Sequence, residues 1–266
     1  MIGIMRGLVV PLALILAVSG AWGAEGKPGV DLALVLAVDI SQSMETDEQD
    51  LQRQGYVEAL RSPEVQQAIR QGLLGRIAVT YVEWSGTEEQ QVLVPWTVIE
   101  QPEDALGFAE HLIQSPIHRA GYTSISGVID FSLGLLRESG VDPARRVIDI
   151  SGDGPNNQGR PVTEARDEAV SLGTTINGLP IMLEQPRGPW DIPDLDLYYR
   201  DCVIGGAGAF MIPIRERRQF LEAIRTKIVR EVSDLRIPET FVQRAQITTS
   251  ADCPAGVPRP RRPAGE

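Results

Sequence analysis

Three short oxygen-bearing side chains stand at alternate positions directly after an apolar segment. They are Asp39, Ser41 and Ser43. Carboxylate and hydroxyl oxygens at this spacing suit a hard divalent cation, because Mg²⁺ prefers near-octahedral oxygen ligands and retains several waters. Serine hydroxyls add oxygens without adding charge, so such an ion keeps a positive field for one further acidic ligand. The competing interpretation is that Ser43 or Thr46 caps a following helix, and the run alone leaves both open.

The segment before this run is almost continuously apolar. Residues 30–38 predict a central strand of a parallel sheet that is covered on both faces. In open α/β sheets, ligands bind in the crevice beyond the carboxyl ends of the strands. Asp39 follows such a strand directly, so the run lies where a ligand is expected.

The rest of the chain alternates between helical and extended patterns. Helices are predicted at 45–72 (restarting at Pro63), 102–114, 124–139, 162–172 and 217–232, and strands at 30–38, 76–84, 91–98, 146–151, 174–183 and 209–214. The short link 86–89 predicts that the second and third strands pair antiparallel, and Pro95 places the third strand at a sheet edge. The predicted fold class is α/β, a doubly wound, mostly parallel sheet with one antiparallel edge strand and helices on both faces.

Two further oxygen-bearing residues are expected at the same end of this sheet. Thr123 opens the third predicted helix, and Asp153 follows the fourth predicted strand. Taken alone, Thr123 is better explained as a helix cap, and Asn156 and Asn157 are better explained as turn formers. The convergence of three separate segments on one crevice favours the metal-site interpretation.

Together these segments resemble the metal-ion-dependent adhesion site (MIDAS) of the von Willebrand factor type A (vWA) domain family. That site combines an Asp-x-Ser-x-Ser run, a distant Thr and an Asp-Gly pair, which correspond here to residues 39–43, Thr123 and Asp153-Gly154. The resemblance covers about residues 30–232 and implies a vWA/Rossmann-like fold. Within the family, the chain is similar to a branch of uncharacterised exported bacterial proteins.

The resemblance also implies a role for each matched residue. Ser41 and Ser43 would ligate Mg²⁺ through their hydroxyls, and Thr123 would do so directly or through water. Asp39 and Asp153 would act through water and through hydrogen bonds that orient the hydroxyls. An Asp or Glu of a protein partner would fill the open coordination position, and Mn²⁺ and Ca²⁺ are alternative ions.

The chain is expected to divide into three parts. Residues 1–23 have the features of a secretory signal peptide, residues 24–232 form the vWA-like domain, and residues 233–266 form a Pro/Arg-rich extension that is mobile at its end. The protein is therefore expected to be exported, periplasmic or secreted, without a membrane span after signal cleavage. In an oxidising compartment, a disulfide between Cys202 and Cys253 is the simplest interpretation.

Charge and composition narrow the possible functions. A formal net charge of −11 disfavours nucleic acid as a partner. We expect a non-enzymatic, metal-dependent protein-binding module. The alternatives are a metal-dependent hydrolase of the phosphoester type and a structural periplasmic protein whose metal only stabilises the fold. No catalytic residues are assigned, since no nucleophile–base set is readable and position 41 is Ser rather than the second Asp of an Asp-x-Asp pair.

Two titratable residues near the site are open to more than one interpretation. His118 lies in the loop before Thr123 and is expected to be a solvated loop residue rather than a metal ligand. Asp149 alternates with Ser151 on the fourth strand, and it is either a paired buried acid or part of the edge of the site.

Overall fold

A computed structural model describes residues 26–183, 192–233, 243–244 and 253. The predicted signal peptide, part of the Pro-rich stretch from Gln185 to Asp196, and most of the C-terminal extension lie outside these ranges. Within the described ranges, no helix is both long enough and apolar enough to cross a bilayer.

Seven α-helices and seven strands make up most of the regular structure of the described part, and a short 3₁₀ helix (Arg217–Gln219) precedes the last α-helix. The helices are α1 (Thr46–Arg61), α2 (Pro63–Arg70), α3 (Pro102–Gln114), α4 (Ile125–Arg137), α5 (Val162–Ser171), α6 (Leu195–Tyr198) and α7 (Phe220–Ser233). The strands are β1 (Gly29–Asp39), β2 (Ile77–Trp84), β3 (Gln90–Ile99), β4 (Asp142–Gly152), β5 (Thr174–Pro180), β6 (Phe210–Met211) and β7 (Gln243–Arg244). The order in the sheet is β3-β2-β1-β4-β5-β6-β7.

Strand β1 lies inside the sheet, between β2 and β4, and contributes side chains to both hydrophobic cores. Leu32, Leu34 and Leu36 face one core, which is packed by α1, α2, α3 and α7. The intervening residues Ala33 and Val35 face the other core, which is packed by α4 and α5. Because successive side chains of a strand point to opposite faces, a continuously apolar strand needs a covered sheet on both sides. The predicted two-sided α/β fold is confirmed.

Local sequence explains where the helices begin. Ser62 accepts a hydrogen bond from Val65 N at 3.2 Å and caps α2, whose first residue is Pro63. This arrangement splits the helical segment 45–72 at the predicted proline. Ser124 caps α4 in the same way, accepting from Gly127 N at 3.1 Å. The helix that follows Thr123 is therefore capped by Ser124, and Thr123 is not the capping residue.

Both edges of the sheet are antiparallel. β3 pairs antiparallel with β2 and lies at one edge, as Pro95 predicted. At the other edge, β7 pairs antiparallel with β6, a strand that the sequence did not indicate. β6 itself spans two residues instead of the six predicted at 209–214, and Ile214 makes only an isolated bridge with Ile181. Beyond Met211 the chain stays beside β5, since Ile212 N donates to Gly178 O at 3.1 Å and Ile214 N donates to Pro180 O at 2.9 Å, but it no longer forms a regular strand.

Between β5 and β6 the chain forms α6 and then a π-helical turn, Tyr199–Val203. Cys202 lies in this turn and forms a disulfide with Cys253, with the two Cα atoms 5.8 Å apart. Cys202 is fully buried against the core on the α4 and α5 side. The disulfide therefore fixes one point of the C-terminal extension against the folded domain.

Candidate metal site

A chain of hydroxyl and carboxylate contacts lies beyond the carboxyl ends of β1 and β4. Ser41 Oγ and Ser43 Oγ are 2.9 Å apart, and Ser43 Oγ donates to Asp153 Oδ1 at 2.7 Å. Ser41 is buried, whereas Ser43 is exposed and Asp153 is half-buried. The cluster therefore opens from the protein interior to solvent, as a site for an external ligand requires.

Asp39 forms the floor of this cluster. Its side chain is fully buried, and Oδ1 accepts a hydrogen bond from Ser41 N at 2.7 Å. Its other oxygen, Oδ2, is buried and has no hydrogen-bond partner among the described residues. Burial raises the pKa of Asp39 well above its ordinary value, and the negative charge of Asp153 raises it further. A buried carboxylate oxygen without a donor needs either a proton or a cation.

Thr123 comes from a different part of the chain and lies next to the turn that carries Asp153. Its hydroxyl Oγ1 lies beside Gly154, 3.7 Å from the point that a Cβ on that glycine would occupy. The backbone of Thr123 is held by Asn157, whose Oδ1 accepts from Thr123 N and whose N donates to Thr123 O, both at 2.8 Å. Asn156 Oδ1 accepts from Ser126 N at 3.0 Å. The two asparagines were expected only to form a turn. They also attach the turn after β4 to the start of α4.

The loop before Thr123 packs on the Asp-x-Ser-x-Ser run. Ala120 N donates to Ile40 O at 3.1 Å. The Arg119 guanidinium donates to the carbonyls of Gln42 and Met44 at 2.8 and 2.9 Å. These contacts fix the backbone between the two serines. This role of Arg119 could not be predicted, because its partners are backbone atoms more than 70 positions away in the chain.

His118 also helps to hold this loop, through a contact with Glu83. Its Nδ1 lies 3.2 Å from Glu83 Oε2, and its side chain is 41% exposed. Glu83 is buried at the end of β2 and also pairs with Arg53 of α1, which in turn donates to Ser115 O at 2.6 Å. His118 is thus a loop residue with a partly exposed side chain, as expected, and it is also one partner in a network that holds the loop.

Tyr199 is a buried neighbour of the site that the motif did not indicate. A Cβ added to Gly152 would lie 2.8 Å from Asp39 Oδ2 and 3.1 Å from Tyr199 Oη. The Tyr199 hydroxyl is buried without a hydrogen-bond partner in the described part of the chain. Burial, and then the charge of Asp39, raise its pKa well above the ordinary value. Gly152 thus leaves room for a phenol and a carboxyl group to approach each other.

The donor set fits a hard cation held mainly by hydroxyls. Within the described ranges, no group of three or more His, Cys, Asp or Glu residues could hold a metal ion. The five predicted residues supply three hydroxyls and two carboxylates, and one of the carboxylate oxygens is buried without a partner. Such oxygens suit Mg²⁺ better than a soft or imidazole-preferring metal.

The expected vWA-like fold is confirmed by solved structures to which this chain is similar. They include a von Willebrand factor type A protein from Catenulispora acidiphila (15% identity, TM-score 0.53) and the pilus adhesin SpaC from Lactobacillus rhamnosus GG (13%, 0.56). A third is proximal thread matrix protein 1 of the mussel byssus, with a zinc-occupied MIDAS motif (12%, 0.52). The matches cover 76%, 79% and 78% of this chain, but only 43%, 31% and 49% of those chains.

This chain thus spans less than half of each of these structures, and at such identities the likeness concerns the fold alone. No curated protein matches the chain in sequence. One family model does match, over residues 29–236, and this range contains every element from β1 to α7. The chain has the von Willebrand factor type A fold and belongs to the family described as "Protein of unknown function (DUF1194)".

Proposed function

We propose that this protein is an exported, metal-ion-dependent binding module that grips an Asp or Glu of a protein partner through Mg²⁺. The observation that carries the proposal is the hydrogen bond of 2.7 Å between Ser43 Oγ and Asp153 Oδ1. It joins the run after β1 to the turn after β4 at the solvent-facing end of the cluster.

Charge supports a carboxylate as the ligand. Ser41, Ser43 and Thr123 would offer neutral oxygens to the ion, so two carboxylates are the only negative groups among the five proposed ligands. An ion held in this way keeps an attraction for one more anion. The zinc-occupied MIDAS motif of the mussel protein shows that a vWA-type fold can hold a divalent ion.

The first experiment measures the melting temperature with Mg²⁺ and with chelator. The wild type is compared with a Ser41→Ala/Ser43→Ala double variant. Ser171→Ala is the matched control, because that hydroxyl lies at the end of α5, just before β5 begins at the opposite end of the sheet. We expect Mg²⁺ to raise the melting temperature of the wild type and of the control but not that of the double variant.

The second experiment is a pull-down from envelope extract with the same three proteins. A partner retained only with Mg²⁺, lost in the double variant and eluted by excess free aspartate would support the carboxylate grip. If Mg²⁺ stabilises the wild type but no metal-dependent partner is captured, the ion has a structural role. If Mg²⁺ has no effect on the melting temperature, the run binds no ion and the proposal is wrong.

A further inference from the structure

A second cluster of ionisable side chains lies inside the protein, away from the candidate metal site. Lys227 and Glu231 of α7 face Asp149 of β4, and their side chains are 1%, 0% and 0% exposed. Lys227 Nζ donates to Asp149 Oδ1 and, at 2.6 Å, to Glu231 Oε1. An amine, a carboxyl group and a second carboxyl group are thus in mutual contact where water does not reach.

Simple ion pairing does not satisfy this cluster. Two carboxyl groups share one ammonium, and Asn177 Nδ2 adds one donor to Glu231 Oε1 at 3.1 Å. Asp149 Oδ2 and Glu231 Oε2 are buried and have no hydrogen-bond partner in the described part of the chain. With all three groups ionised, the cluster would hold a net negative charge in the protein interior, which is unfavourable.

Burial favours the neutral form of Asp149 and brings the pKa of Glu231 close to neutral pH, where Glu231 can accept a proton. It is the largest cause of the raised pKa of Asp149, and it raises the pKa of Glu231 from 4.5 to about 7, with the charge of Asp149 as the second cause. A protonated carboxyl group is a better electrophile than a carboxylate, because its leaving group is water rather than oxide. A second carboxylate within hydrogen-bond reach of the amine can serve as the base.

We propose that Lys227 and Asp149 are joined by an intramolecular isopeptide bond, formed with Glu231 as the proton carrier. Glu231 takes a proton from the Lys227 ammonium, and the free amine attacks Cγ of protonated Asp149. The new N–C bond replaces the C–OH bond, and the hydroxyl leaves as water with a second proton from nitrogen. The four protons of the reactants end as one on the amide, two on water and one on Glu231.

The surroundings favour this condensation. The Phe210 ring centroid lies 5.4 Å from Lys227 Nζ, so an apolar group covers the amine. The reacting groups are fixed by β4 and α7, and intramolecular reactions between groups held in contact gain large effective concentrations. The product removes the charges of Lys227 and Glu231 from a buried site, and the water that forms has to leave it. An amide shielded from water is also protected from hydrolysis.

A peptide map decides between this bond and an ordinary buried ion pair. The purified wild type is reduced and digested with trypsin, and the peptides are identified by tandem mass spectrometry. The expected product is a branched peptide in which the segment after Arg146 is joined to residues 226–230, uncut after Lys227 and lighter than the two peptides together by one water. Separate peptides of full mass, with cleavage after Lys227, would overturn the proposal.

Two variants test the roles of the residues. Lys227→Arg keeps a positive charge but presents no amine that can form the bond, so the branched peptide is expected to be absent. Glu231→Gln keeps the shape of the side chain but cannot carry the proton, so the branched fraction is expected to fall at least tenfold. A branched peptide that persists at full yield in Glu231→Gln would remove Glu231 from the reaction.

Discussion

Ser43 and Asp153 lie 110 positions apart in the chain and share a hydrogen bond of 2.7 Å between Oγ and Oδ1. β1 and β4 are neighbours in the sheet and parallel, so the residues that follow them meet at the same end. The contact therefore couples the orientation of the Ser43 hydroxyl to the Asp153 carboxylate.

Asp153→Asn is expected to abolish the stabilisation by Mg²⁺. The amide keeps the size of the side chain but removes the charge that would hold the ion and orient the Ser43 hydroxyl. At a Mg²⁺ concentration about 100 times the dissociation constant, the wild type should gain about 2.7 kcal/mol, or roughly 5–10 °C in melting temperature. Differential scanning fluorimetry with Mg²⁺ and with chelator measures the difference. An equal gain in Asp153→Asn would place the ion elsewhere.

Asp39→Asn is expected to stabilise the metal-free protein at alkaline pH. Burial and the charge of Asp153 raise the pKa of Asp39, so the folded chain holds a proton that the unfolded chain releases. The stability of the metal-free wild type should therefore fall as the pH rises above the ordinary range of an aspartate. The amide has no such loss and can still accept from Ser41 N. Urea denaturation in chelator measures the free energy of unfolding of the wild type and of the variant at pH 5.5 and at pH 8. A wild type that is more stable at pH 8 would contradict the expectation.

Glu231→Gln is expected to flatten the dependence of stability on pH between 4.5 and 7. Within this window the folded wild type keeps a proton on Glu231 that the unfolded chain has lost, so its stability falls as the pH rises. The loss is on the order of 3 kcal/mol, at about 1.4 kcal/mol per pK unit. The sign is the same with or without the amide between Lys227 and Asp149, because burial is the largest cause of the shift.

The measurement for Glu231 is the free energy of unfolding at several pH values in chelator. The absolute stability of Glu231→Gln is expected to be lower as well, because less of the bond between Lys227 and Asp149 forms in this variant. The informative quantity is therefore the slope of the free energy of unfolding against pH. An unchanged slope in the variant would assign the titration to another group.

Gly152→Ala is expected to destabilise the protein and to weaken its response to Mg²⁺. The added Cβ would lie 2.8 Å from Asp39 Oδ2, so the carboxyl group or the strand has to shift. Overpacking of this kind costs about 1–3 kcal/mol. Gly134→Ala is the control: it lies inside α4, where no atom would be within 4 Å of a Cβ, and it should gain up to about 1 kcal/mol. Thermal melts of both variants provide the comparison.

The parts of the fold that depend on local pattern could be predicted from the sequence. Continuous apolar character identified β1, and Pro95 identified the edge position of β3, because both signals are carried by neighbouring residues. β7 was missed because two residues carry no periodicity. The pairing of Lys227 with Asp149 was missed for a different reason: 78 positions separate them, and nothing near either residue indicates the other.

The candidate site also has parts that could be predicted from the sequence and parts that could not. The residues that would hold an ion follow a recognisable spacing around Asp39, Thr123 and Asp153. Their neighbours Arg119 and Tyr199 were not predicted, because Arg119 contacts backbone carbonyls and Tyr199 is near the site only through burial, and these placements exist only once the chain is folded. Whether an ion binds at this site stays a prediction.

The position of β1 between β2 and β4 also has a consequence for the order of assembly. β2 and β3 can attach on one side of β1 using residues up to Ile99 alone, but Asp39 meets Asp153 only after β4 has paired on the other side. A ligand that needs both carboxylates therefore binds no intermediate that lacks the β1–β4 ladder. In a refolding experiment, the moment at which ligand binding appears would therefore report when β1 pairs with β4. It would do so independently of when the edge strands are added.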